Sequence, residues 1–115
     1  MDDITIPEID VLEAKQRVEN GALLIDVREQ NEYDDIHIPG AQLFALSELA
    51  QSYRDLPTDK PLVMQCRSGA RSAKAAEFLL QNGYSDVVNM TGGILAWAQA
   101  ELPTRSAEPV DTDET

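Results

Sequence analysis

Cys66 is the single cysteine of the 115-residue chain, and Arg67 and Arg71 both follow it closely in the run Cys66-Arg67-Ser68-Gly69-Ala70-Arg71-Ser72. A thiol beside full positive charges gives up its proton more readily, because the charge stabilises the anion and leaves the neutral form unaffected. Cysteines in such settings have pKa values of roughly 3.5–7.5, against about 8.5 for a free thiol. The residue types therefore point to a nucleophilic thiolate at Cys66. Gly69 lets the chain curl so that the backbone N–H groups of the loop face inward as an anion-holding nest. A lone cysteine at a strand end is often only a small apolar core residue. The two arginines and the glycine set this one apart.

Spacing narrows the chemistry. Four residues separate Cys66 from Arg71. A cradle for a tetrahedral phosphate around a cysteine needs a longer loop, whereas this one has room for a single sulfur atom bonded to Cys66. Sulfur carriage as a persulfide is the leading reading. A Cys-dependent phosphatase or arsenate reductase is the less favoured one, and a redox-sensing or regulatory module, in which the low-pKa thiolate is oxidised, is the third.

The elements that must hold this loop alternate along the chain. Residues 4–6 suit a short first strand. Asp10 opens a helix with Glu13 as a capping-box partner, and Val11, Ala14 and Val18 share its inner face up to Asn20-Gly21. Residues 22–27 are a short apolar run with Asp26 near its end, as expected of a buried parallel strand. Residues 29–35 suit a short polar helix, Pro39-Gly40 a turn, residues 41–44 a short strand and residues 46–53 a weak helix. Residues 61–65 form the buried strand that delivers the chain to Cys66. Residues 72–82 form the strongest helix, with Ala73, Ala76, Phe78, Leu79 and Leu80 on its apolar side and Gly83 at its C-terminal cap. Residues 87–90 are a last strand, and Gly92-Gly93 turns into a helix holding Ile94, Leu95 and Trp97. Trp97, Phe78, Met64 and Met90 are core residues on this reading. Alternating strands and helices predict an α/β fold with a mostly parallel sheet and helices on both faces. Sites in such sheets lie at the carboxyl ends of the strands, where Asp26, Arg28 and the Cys66 loop fall. Asp26 either holds Arg71 or Arg67 or caps the following turn. Arg28 either helps bind anions or pairs with Glu29 or Glu32 at the surface. His37 is expected to make a local hydrogen bond and not to act as a general base.

Composition bounds the rest. Nine basic against twenty-one acidic residues give a formal charge of −12, a field that repels nucleic acid and anionic membrane. One cysteine excludes an internal disulfide, and one cysteine with one histidine argues against a metal site. The N-terminal residues lack a signal-peptide run, so the cytoplasm is the expected compartment. Residues 1–103 read as one domain and residues 104–115, with four acids, as an acidic flexible tail.

Three segments resemble the rhodanese family: LIDVREQNEYDDIHIPGA (24–41), CRSGARS (66–72) and NGYSDVVNMTGGILAWAQAELP (82–103). The opening strand and helix fit more loosely, and Ile36 stands where the family often has glycine. The resemblance implies a rhodanese-like, mostly parallel five-stranded sheet and a sulfurtransferase that needs no cofactor. It implies that a small anionic donor such as thiosulfate, or a protein persulfide, gives sulfane sulfur to Cys66. The sulfur then passes to a thiol, cyanide or a protein acceptor. Arg67 and Arg71 would bind the anionic donor or orient the loop, while Ser68, Gly69 and Ala70 supply backbone N–H groups. HIPGA and CRSGARS also resemble the rhodanese domains attached to E1-like adenylating enzymes, which pass sulfur to small ubiquitin-like carriers.

Overall fold

Parallel strands covered on both faces need near-continuous apolar runs, and the three inner strands have them. The computed structural model describes residues 5–106. In it β2 (Leu23–Asp26), β4 (Leu62–Gln65) and β5 (Val87–Met90) lie side by side, flanked by β1 (Glu8–Ile9) and β3 (Gln42–Leu43). The order is β1-β5-β4-β2-β3, and every pairing in it is parallel. The α/β architecture expected from the sequence is the one observed.

Side chains of successive strand residues point to opposite faces, so the sheet has two apolar layers. On one face α1 (Val11–Glu19) and α5 (Gly93–Gln99) bring Val11, Ala14, Ile94 and Trp97 onto Leu24, Val63, Val88 and Met90. On the other face α3 (Leu49–Ser52) and α4 (Ala70–Gln81) bring Leu49, Ala75, Ala76 and Leu79 onto Ile25, Leu62 and Met64. Leu79 is fully buried, and its truncation to alanine would cost about 2–5 kcal/mol.

Local signals explain most boundaries. The Asp10 carboxylate accepts from the Glu13 amide at 2.9 Å, an N-cap worth about 1 kcal/mol. The reciprocal half of the capping box is not made, because the Glu13 carboxylate accepts from Arg17 one turn on. That box appears instead at α2 (Gln30–Asp35), between Glu29 and Glu32. Residues 46–55 form a 3-10 turn, α3 and a second 3-10 turn.

Four expectations are corrected. Of the first strand expected at residues 4–6, Ile4 lies outside the described residues and Thr5 and Ile6 are not in a strand; the described ladder begins at Glu8, paired with Asn89. The helix after Cys66 starts at Ala70 and not at Ser72, so Arg71 belongs to its first turn. Its buried side is Ser72, Ala75, Ala76 and Leu79, whereas Ala73, Phe78 and Leu80 are only half-buried. Phe78 meets the Tyr53 ring edge-on. Finally, Arg105, placed in the tail by composition, exchanges two backbone hydrogen bonds with His37 at 2.7 and 2.8 Å. Residues 107–115 lie outside the described residues. No helix among the described residues is long and apolar enough to cross a membrane.

Candidate active site

The sheet delivers Cys66 from the carboxyl end of β4, its central strand, into a short turn capped by Gly69. Gly69 has φ +111°, a backbone conformation that side chains with a Cβ rarely adopt. The turn aims the Gly69 amide at Cys66 Sγ, 3.1 Å away. The Ser72 amide and the Ser72 hydroxyl each lie 3.4 Å from the same sulfur. Cys66 is itself only 1% exposed. Burial pushes the thiol pKa up, and the Ser72 hydroxyl with the amides of Ser72, Gly69 and Ser68 pulls it down; the donors win and the pKa is lowered. A concave set of N–H groups at a helix start is a setting that favours the anion over the thiol.

The arginines are placed differently from expectation. Arg71 points to α2, where its two terminal nitrogens donate to the two Glu32 oxygens at 2.8 and 2.9 Å. Glu32 is held down to about 2, first by the hydrogen bond from Arg71. Arg71 is correspondingly raised, first by Glu32, with Cys66 a lesser influence. Arg67 is exposed and makes no side-chain hydrogen bond or ion pair among the described residues. Ser68 and Ala70 are exposed, and Ala70 opens the helix.

Asp26 holds neither Arg71 nor Arg67, and Arg28 is not a surface residue. The two pair with each other inside the protein. Arg28 Nε and Nη2 donate to the Asp26 carboxylate at 3.0 and 2.8 Å, and the Arg28 amide closes the turn on the same carboxylate at 3.0 Å. Arg28 Nη2 also donates to the Ile36 carbonyl. The turn-capping alternative for Asp26 is the one observed. Asp26 is fully buried and Arg28 is 3% exposed, so the pair compensates charge where water cannot. His37 stacks on Tyr33, and its Nδ1 lies 2.9 Å from the Tyr33 carbonyl oxygen.

Four residues have roles at the site that the sequence does not assign. The Ser72 amide donates to the sulfur, with the Ser72 hydroxyl beside it. Asn89 accepts from Ser72 at 2.5 Å. Glu32 holds Arg71 across 39 residues of chain. Gly93 lets the α5 backbone touch the loop: the Ile94 amide donates to the Cys66 carbonyl at 2.9 Å, and a Cβ on Gly93 would sit 2.4 Å from that oxygen. Asn89 carried a readable signal, as the one polar residue in the buried run Val87-Val88-Asn89-Met90. Glu32 carried none, since its partner is distant in sequence.

The Rhodanese-like domain family matches residues 10–100. A protein named Sulfurtransferase from Allochromatium vinosum is 37% identical over 90% of this chain and 98% of its own length. The thiosulfate sulfurtransferase GlpE of Haemophilus influenzae is 31% identical over 90% of this chain and 99% of its own. YqhL of Bacillus subtilis is 43% identical over 66% of this chain, which spans 60% of that protein. Among solved structures, a rhodanese-related protein from Thermoplasma volcanium superposes with a TM-score of 0.81 at 30% identity, covering 89% of this chain and 99% of that one.

Proposed function

The chain belongs to the rhodanese-like family and is a sulfurtransferase, and on that premise we propose that it carries sulfane sulfur as a persulfide on Cys66. The observation that carries the proposal is the ring of donors around Cys66 Sγ: two amides and a hydroxyl within 3.4 Å. These groups favour the thiolate needed to attack, and the two amides remain in place to solvate a sulfur chain on Cys66. The Cys66 thiolate attacks the outer sulfur of the donor. With thiosulfate, the new bond joins Cys66 Sγ to that sulfur, the donor's S–S bond breaks, and sulfite leaves with the electron pair. The Cys66 persulfide then has its outer sulfur attacked by a thiolate or by cyanide, and the Cys66 thiolate departs as leaving group. Charge and atoms balance in both halves without an added oxidant.

Arg67, exposed next to Cys66 and without a side-chain partner among the described residues, is the handle for an anionic donor. Arg71 acts mainly on the loop, through its tie to Glu32. Asp26 and Arg28 support the turn that borders the site. The proposed partners are a small anionic donor such as thiosulfate and a protein donor or acceptor, in a compartment that keeps thiols reduced, as the cytoplasm does. Helix α4 begins one residue after Gly69 and its Arg71 is drawn to Glu32, which speaks against a phosphate cradle. Steady-state kinetics with thiosulfate and cyanide test the proposal. Parallel double-reciprocal lines are expected, and intersecting lines would contradict a carrier that releases sulfite before the acceptor binds.

A further inference from the structure

Asn89 is a polar residue in a buried strand, 1% exposed, and the groups around it dictate which way its amide faces. The side-chain nitrogen lies 3.2 Å from the Gly69 carbonyl and 3.3 Å from the Glu8 carboxylate. Both of those accept and neither donates, so the nitrogen belongs on that side and Oδ1 on the other. Oδ1 is 2.5 Å from Ser72 Oγ. An amide oxygen has no proton to offer, so the hydroxyl must supply the one between them. The hydroxyl has only that proton, yet Cys66 Sγ at 3.4 Å and the Gly69 carbonyl at 3.3 Å are also within its reach.

The shortest contact decides the resting state. While Cys66 is a thiol, the Ser72 proton sits on Asn89 and a hydroxyl lone pair faces the sulfur. When Cys66 is a thiolate, the hydroxyl turns to it and Asn89 Oδ1 becomes a buried acceptor without a donor, which is costly. Resting on the reading of Cys66 as a reactive thiolate, we infer that Asn89 is a positioning residue that acts on Cys66 through Ser72, by competing with the sulfur for a single hydroxyl proton. The competition has a use in the transfer cycle. In the persulfide, Sγ is a bridging sulfur and the charge has moved to the outer atom, so the hydroxyl returns to Asn89. The hydroxyl thus follows the charge on Sγ, while the backbone amides stay fixed.

The other charged groups around Cys66 leave this contact alone. Arg67 follows it in the loop; Arg71 on α4 is paired with Glu32 of α2, and Asp26 with Arg28 at the end of β2. Glu8 of β1 lies behind Asn89, and α5 carries no titratable residue.

The test is the rate of iodoacetamide alkylation of Cys66 against pH in the wild type, Ser72→Ala, Asn89→Leu and the double variant. Ser72→Ala is expected to move the midpoint up. Asn89→Leu frees the hydroxyl for the thiolate and is expected to move it down. Each shift should be about three- to tenfold in thiolate fraction, the worth of one net hydrogen bond. The double variant should match Ser72→Ala alone. Loosening of the loop through the lost Gly69 contact would instead raise the midpoint in both backgrounds, and that result would overturn the proposal. Asn89→Val, whose branched side chain suits a central strand, replaces the leucine variant if that one does not fold. A wild-type midpoint at the free-thiol value would overturn the thiolate reading itself, and with it this inference; that failure is visible before any variant is made.

Discussion

The Glu32 carboxylate and the Arg71 guanidinium meet in a two-pronged ion pair, at 2.8 and 2.9 Å, that ties α2 to the first turn of α4. Sequence alone suggests that Arg71 lends its charge to Cys66. The pairing changes that expectation, because most of the Arg71 charge is answered by Glu32. Arg71→Ala is therefore expected to raise the midpoint of Cys66 alkylation by less than Ser72→Ala does. An equal or larger rise would return Arg71 to the role of direct electrostatic partner.

The same pair gives an acid limb to stability. The Glu32 pKa in the folded chain, about 2, lies below its ordinary value of 4.5. A carboxylate depressed on folding stabilises the protein above its unfolded pKa and loses that contribution as pH falls through the folded one. The window is about pH 4.5 down to about 2. Glu32→Gln should flatten the fall in melting temperature across that window and lower the melting temperature slightly at pH 7. The change at neutral pH should stay below about 1 kcal/mol, since the pair is partly solvated. An unchanged acid limb would mean that Glu32 is not paired in solution.

How much of this was legible beforehand depended on range. The strand at Leu62–Gln65, the helix that follows it and the loop between them are local patterns, and the apolar runs and Gly69 announce them. Asp26 and Arg28 were legible as residues at a strand end but not as a buried pair, because burial of Arg28 depends on the Ile36 carbonyl arriving from another segment. The tie of Glu32 to Arg71 is not legible, because nothing in its own helix indicates an arginine in α4. The sequence pattern starts α4 two residues late, because Ala70 and Arg71 read as part of the loop. A glycine with positive φ as N-cap lets the helix begin directly behind it.

Gly93→Ala tests the contact between α5 and the loop. The added Cβ would lie 2.3 Å from the Arg67 carbonyl oxygen and 2.4 Å from that of Cys66. Backbone on both sides leaves no flexible group to yield. A loss of about 1–3 kcal/mol is expected from overpacking, read by chemical denaturation, together with slower alkylation of Cys66. Wild-type stability and reactivity would show that the loop moves aside freely.

Asp26→Ala leaves the Arg28 guanidinium inside the protein with the Ile36 carbonyl oxygen as its remaining hydrogen-bond partner among the described residues. Removing one partner of a buried pair costs about 3–5 kcal/mol. Asp26→Ala should thus be far more damaging than Glu32→Gln, and denaturant midpoints of the two variants compare them directly. Equal midpoints would contradict the burial assigned to Asp26 and Arg28.

The central claim is that Cys66 carries the transferred sulfur, and intact mass spectrometry after exposure to thiosulfate or to a protein persulfide tests it most directly. The account predicts a gain of one sulfur atom, removed by cyanide and absent in a folded Cys66→Ser variant. No gain with either donor, or the same gain in Cys66→Ser, would contradict it.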